Sequence, residues 1–284
     1  MFNKIKETIK KYLRRSSFIR RIYFYCKKIV TYPLKFTSLA PLADPTFPLR
    51  GLLDIKKTKL FATVKPYTLL GYRTLENAYN LAHEVERQKL PGAFVECGTW
   101  KGGCAAVMAF VTNKYESGRT TWYFDSFEGM PPPTKEDARG EGKKGGVSDI
   151  LGSALKVSQR DVEEIVFQKL KLPKEKNRII KGWFQDTLPL YKNEIGKIAI
   201  LRLDGDWYES TKVALETLYD QVVLGGFIII DDYGAWEGCR RAVHEFADTY
   251  GISMNLKFIG TNDPAAYKTK PPAYFKKVNK RINR

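Results

Sequence analysis

Five short apolar runs, at residues 93–96, 121–125, 178–181, 198–203 and 227–230, constrain this chain more than any other feature. Each is built from Val, Ile, Leu, Phe and other large apolar residues, mostly without the in-out alternation of a half-exposed strand. Strands covered on both faces by helices have that composition, so the runs predict a buried parallel sheet. Between them lie segments at 103–114, 158–170, 187–194, 210–224 and 236–250 whose pattern predicts helices. Strand and helix taking turns implies an α/β fold: a doubly wound, Rossmann-like parallel sheet that binds ligands beyond the carboxyl ends of its strands. Ahead of the first run, residues 60–90 are mostly helical in pattern, with a start at Thr74 and a run through Leu81, Val85 and Leu90. After the last helix, 255–259 and 265–270 flank a turn at 260–264 and predict an antiparallel hairpin added to the sheet.

The strand ends carry the chemistry. Glu96, Gly98, Gly102 and Gly103 form a glycine-rich turn, which lets the backbone approach a ligand at a helix N-terminus. Its spacing is neither G-x-x-x-x-G-K-[ST] nor G-x-G-x-x-G, and an acid at Glu96 suits a cationic group such as an α-ammonium or a sulfonium better than a phosphate. Asp125 ends the second run, where a carboxylate can accept from both hydroxyls of a ribose. On consecutive strands the two features favour an adenosyl ligand. Asp204, Asp206, Asp231 and Asp232 then gather at the ends of two further strands. Carboxylates brought together there repel one another unless a hard divalent cation sits among them, although one of the four is expected to cap a helix instead. The D-x-D of Asp204 and Asp206 also suits a metal-dependent glycosyltransferase. That alternative sets Glu96 against a diphosphate and leaves Asp231 and Asp232 without a role.

Five motifs in order resemble the macrocin O-methyltransferase family: FVECGTWKGG at 94–103, FDSFEGMP at 124–131, GWFQDTLP at 182–189, LRLDGDWYEST at 201–211 and GGFIIIDDYG at 225–234. The resemblance runs from about Thr63 to Tyr250 and implies a class I, S-adenosylmethionine-dependent and Mg²⁺-dependent O-methyltransferase acting on sugar hydroxyls. It implies that Glu96 and Gly98 hold the methionine end of the cofactor, Asp125 the ribose, and Ser126, Phe127, Gly182 and Trp183 the adenine, with Thr68 closing over it. Asp204, Asp231 and Asp232 match the family's metal ligands. Related catechol-type enzymes carry a Lys three residues after the first metal-binding Asp. Trp207 stands there in this chain, which leaves Asp204 as the first candidate for the catalytic base and Asp206 as the second.

Charge separates the chain into three parts. The formal net charge is +17, yet residues 1–40 carry eleven Lys/Arg against Glu7, residues 268–284 carry seven Lys/Arg and no acid, and 41–267 are balanced at 30 of each sign. The expected organisation is a basic extension with a Pro-containing linker at 1–50, a methyltransferase domain at 51–267 and a basic tail at 268–284. A neutral body argues against a nucleic-acid partner. Phe2, Ile5, Ile9 and Leu13 recur at helical spacing among lysines, a pattern suited to an anionic membrane surface, to a helix packed on the domain, or to a dimer arm. A non-catalytic membrane-binding or RNA-binding module acting through the basic ends is the alternative, and it has no need of the carboxylates. No run reaches the length of a bilayer span, so the expected location is the cytoplasm or the inner membrane face. Cys26, Cys97, Cys104 and Cys239 form no CxxC pair, which predicts idle thiols in a reducing compartment. The Gly- and Pro-rich stretch 128–153 predicts a substrate lid, and Trp183, Tyr208, Tyr233 and Trp236 are candidates for an aromatic sugar platform.

Overall fold

The computed structural model describes residues 54–137, 155–260 and 271–281. The chain divides into two units, residues 1–62 and 63–284. Of the first, the described part is the start of helix α1 (Ile55–Val64). In the second, α2 (Tyr72–Gln88) precedes β1 (Ala93–Cys97), α3 (Gly103–Lys114), β2 (Thr121–Asp125) and the short α4 (Gln159–Glu163), which runs on as a π-helix over Glu164–Lys169. Then come β3 (Asn177–Lys181), α5 (Phe184–Ile195), β4 (Ile198–Leu203), α6 (Tyr208–Leu218), β5 (Val222–Ile230), α7 (Glu237–Tyr250), β6 (Lys257–Phe258) and β7 (Ala273–Lys276).

The sheet has the order β3-β2-β1-β4-β5-β7-β6. Strands β1 to β5 are parallel, and β7 runs antiparallel to both β5 and β6. Every residue of β1 and β4 is buried, which is why both appear in the sequence as runs without alternation. The strand order reverses between β1 and β4. Turns that leave adjacent strands in opposite directions open a crevice at their carboxyl ends, and the site lies there.

Three elements differ from expectation. The mostly helical 60–90 segment resolves into two helices, because Pro66 sits in a tight turn at Lys65–Tyr67 where an amide donor is missing. The helix expected at 210–224 stops at Leu218, and β5 begins at Val222. Gly225, at φ +83°, breaks the register of that strand, so only its second half reads as strand in the sequence. Among the described residues the strand that pairs with β6 is β7, and the expected strand at 265–270 lies outside them. Strand β7 falls inside the stretch that charge assigns to a tail, yet Ala273 and Phe275 alternate inward and are buried. The first strand survives as β6, and residues 261–270 lie outside the described residues.

Cys97, Cys104 and Cys239 are free and buried, while Cys26 lies outside the described residues. Among the described residues no helix is long and apolar enough to cross a membrane.

Candidate active site

The first wall of the crevice is the turn from β1 into α3. Glu96 is 1% exposed, with all its partners inside the protein. Its Oε2 accepts from Thr99 Oγ1 (2.9 Å) and Ala105 N (3.0 Å), and its Oε1 accepts from Arg202 Nη1 (2.7 Å). The carboxylate thereby ties the turn to the first turn of α3. Burial raises its pKa, opposed by the Arg202 guanidinium and by the hydrogen bonds from Thr99 and Ala105. Gly98 has φ +89°, and a Cβ there would overlap the carbonyl of Asp204. The glycine is required by the neighbouring strand end, whatever ligand lies beyond it.

The second wall is Asp125. Its Oδ1 accepts from Phe127 N and its Oδ2 from Trp100 N, each at 2.8 Å. Both donors adopt positive φ, 50° at Trp100 and 58° at Phe127, as the two turns bend around the carboxylate. Gly182 N donates to the Asp125 carbonyl at 2.9 Å. Phe127 and Gly182, expected against adenine, therefore act on the backbone and carboxylate of Asp125 and do not line the cavity. Thr68, Glu96, Gly98, Asp125, Ser126 and Trp183 do line it.

The third wall is acidic. Asp204, Asp206 and Asp232 each place a carboxylate oxygen within 4.8 Å of the others. Asp206, at φ 58°, donates its N–H to Asp232 Oδ2 (3.0 Å) and accepts from Trp236 Nε1 (2.7 Å). Asp231 lines the cavity but its Oδ1 accepts from Arg202 Nη2 at 2.7 Å, so Asp206 stands in the trio where the motifs place Asp231. Burial, followed by the charge of Asp204, raises Asp206 to about 6. Burial also carries Asp231 to about 7, with Arg202 opposing. Asp232 is pushed well up by burial and by its three acidic neighbours. Carboxylates this close share protons until a cation takes their place, and hard oxygen donors of this kind fit a divalent ion.

Arg202 is the functional residue that sequence reasoning missed. It is the one charged side chain in the fully buried β4, and it reaches Glu96, Asp204 (2.8 Å) and Asp231. A lone charge inside an Ile/Leu run was the available signal, because a buried guanidinium must have partners.

These walls enclose a cavity of about 690 Å³, within the range of small-molecule sites. Of the four platform candidates only Trp183 lines it. The Tyr208 hydroxyl donates to Glu245 (2.5 Å), the Tyr233 hydroxyl pairs with His244 Nε2 (2.7 Å), and Trp236 packs edge-on against Trp207 with ring centroids 4.8 Å apart. The start of the expected lid is anchored. Pro131 O accepts from Trp207 Nε1 (2.9 Å), and Asp137 Oδ1 accepts from Tyr208 N (2.7 Å) in the first turn of α6. Residues 138–154 of that stretch lie outside the described residues.

Comparison with known proteins agrees with this geometry. The family model described as Macrocin-O-methyltransferase (TylF) matches residues 61–267. The chain is 36% identical over 191 residues to demethyldecarbamoylnovobiocin O-methyltransferase of Streptomyces niveus, covering 67% of this chain and 71% of that protein. It is 38% identical over 188 residues to 8-demethyl-8-(2,3-dimethoxy-alpha-L-rhamnosyl)-tetracenomycin-C 4'-O-methyltransferase of Streptomyces olivaceus, covering 66% and 70%. Among solved structures, the O-methyltransferase NovP superposes with a TM-score of 0.62 at 33% identity, over 75% of this chain and 83% of that one.

Proposed function

The chain belongs to the macrocin O-methyltransferase family and is an O-methyltransferase, and from that premise we propose that it methylates a sugar hydroxyl using S-adenosylmethionine and Mg²⁺. The acceptor class is a glycan, a glycolipid or a glycosylated natural product. The relative from Streptomyces olivaceus, named for a rhamnosyl-bearing substrate, supports a sugar acceptor. The observation that carries the reading is that one cavity joins Asp125, with its two backbone donors, to the Asp204, Asp206 and Asp232 cluster.

When bound, the cofactor supplies an electrophilic methyl and the cation supplies Lewis acidity toward the acceptor oxygen. The protein supplies position. Asp125 is held in one orientation by Trp100 N and Phe127 N and keeps further lone pairs on both oxygens to accept from ribose hydroxyls. Ser126 and Trp183 line the adenine side, and Thr68 lines the cavity from the segment before α2. Glu96 and Gly98 shape the turn that faces the methionine end. Asp204 and Asp232 belong both to the observed cluster and to the ligand set implied by the family motifs, so these two would hold the cation. Asp206 and Asp231 compete for the third place. Asp204 has one oxygen on Arg202, and its other oxygen is the first candidate to take the acceptor's hydroxyl proton.

Asp204→Ala should lower methyl transfer by at least about a hundredfold while S-adenosylhomocysteine still raises the melting temperature. Unchanged turnover in that variant would contradict the assignment. Uridine diphosphate should leave the melting temperature of the wild type unmoved.

Residues 1–40 place this chemistry beside an anionic membrane surface in the same proposal. The support is their net charge of +10 and the apolar spacing of Phe2, Ile5, Ile9 and Leu13.

A further inference from the structure

We propose that Arg202 is a positioning residue that makes the cofactor end and the cation end of the cavity one electrostatic unit. The inference rests on the cofactor and cation assignments above and deepens them. In the β1/β4 register Glu96 stands directly opposite Arg202, which puts the two side chains on the same face of adjacent strands. Nη1 of the guanidinium donates to both Glu96 Oε1 (2.7 Å) and Asp204 Oδ2 (2.8 Å), and Nη2 donates to Asp231 Oδ1 (2.7 Å). Arg202 and Glu96 are each 1% exposed on their side chains, so water does little to screen that pair.

A planar fork is needed for this, since an ammonium is a single point charge and cannot hold three carboxylates in fixed directions. The charges also do not balance. Glu96, Asp204, Asp206, Asp231 and Asp232 are five carboxylates around one guanidinium, which leaves four negative charges when all are ionised. The excess attracts a cation, and how much of it each end feels depends on how Arg202 divides its donors.

The consequence has a definite sign. Neutralising Glu96 leaves Nη1 facing a weaker, uncharged acceptor, which draws Asp204 toward Arg202 and away from a metal ion, and it also removes a nearby negative charge. Both effects weaken cation binding at a cluster that Glu96 does not belong to. Asp125 is the control for the charge effect alone: it too feels the charge of Asp204, but its bonds run to Phe127 N and Trp100 N rather than to Arg202.

The test is calorimetric titration of Mg²⁺ into the full-length wild type, Glu96→Gln and Asp125→Asn. Glu96→Gln should weaken Mg²⁺ binding about tenfold or more, and Asp125→Asn by less than about twofold. Wild-type affinity in Glu96→Gln, or an equal loss in both variants, would overturn the proposal. Should Glu96→Gln fail to fold, the coupling is read from the other end by titrating S-adenosylhomocysteine in the presence of EDTA. Asp231→Asn, which loses the charge facing Arg202, should then bind it at least about fivefold more weakly, while Asp232→Asn stays within about twofold of wild type. Equal behaviour of those two variants would also overturn the proposal. Failure of the wild type to bind S-adenosylhomocysteine or Mg²⁺ at all would reject the underlying functional reading instead.

Discussion

A carboxylate held by two backbone N–H groups is fixed before any ligand arrives, and Asp125 shows how much of this site is backbone. The residue type and its place at a strand end were legible in the sequence. The direction of the amides behind it was not: the N–H groups of Phe127 and Gly182, residues expected near a ligand, donate to the carboxylate and the carbonyl of Asp125. Arg202 escaped for a related reason: its partners come from β1 and from the ends of β4 and β5, and only the sheet brings those strands together. Asp206 carries a pH prediction. Its pKa of about 6 lies above the ordinary 3.8, so its contribution to stability is fully present below the lower value and lost as pH rises through the higher one. Without a cation the cluster therefore weakens the fold across that window, and a bound cation relieves the loss. The rise in melting temperature on adding Mg²⁺ should be small near about pH 5 and larger near about pH 7. An equal rise at both would contradict the cluster as the cation site.

At the scale of elements, a pattern was legible where one physical cause decided it and obscured where two competed. Strands β1, β2 and β4 have the expected bounds to within a residue, since burial on both faces leaves a short apolar run bounded by polar and glycine-containing turns. Helix α3 likewise spans the expected 103–114. Helix α6 and strand β5 blur because Leu218, Tyr219 and Val222 are all buried, so the apolar pattern continues while the backbone changes type. Strand β7 hid behind charge: Lys276 ends it and Lys277 follows it in a stretch without acids, although Phe275 is buried and Lys277 Nζ donates to Tyr219 O at 2.8 Å. Deleting residues 271–284 removes the strand between β5 and β6 and uncovers the edge of β5. The truncated chain should lose its cooperative thermal transition. A transition near that of the full chain would show that β7 contributes little.

Across the whole molecule, chemistry and charge are segregated. The balanced body holds the carboxylates, whereas the +10 of residues 1–40 lies outside the segment matched by the family model. A basic, apolar-striped segment adds affinity for anionic lipid through its own charge and apolar face. Deleting residues 1–40 should abolish salt-sensitive pelleting with phosphatidylserine vesicles and leave turnover on a water-soluble acceptor within about twofold. Equal pelleting of the two forms would reject the membrane role. In the proposed function one cavity serves a cofactor on Asp125 and a cation on the acid cluster. The most direct measurement is a crystal structure of the protein with S-adenosylhomocysteine and Mn²⁺, using the anomalous signal to find the metal. The proposed function puts the ribose hydroxyls on the Asp125 carboxylate and a manganese peak on Asp204 and Asp232. A nucleoside bound away from Asp125, or a manganese peak that touches neither Asp204 nor Asp232, would contradict it.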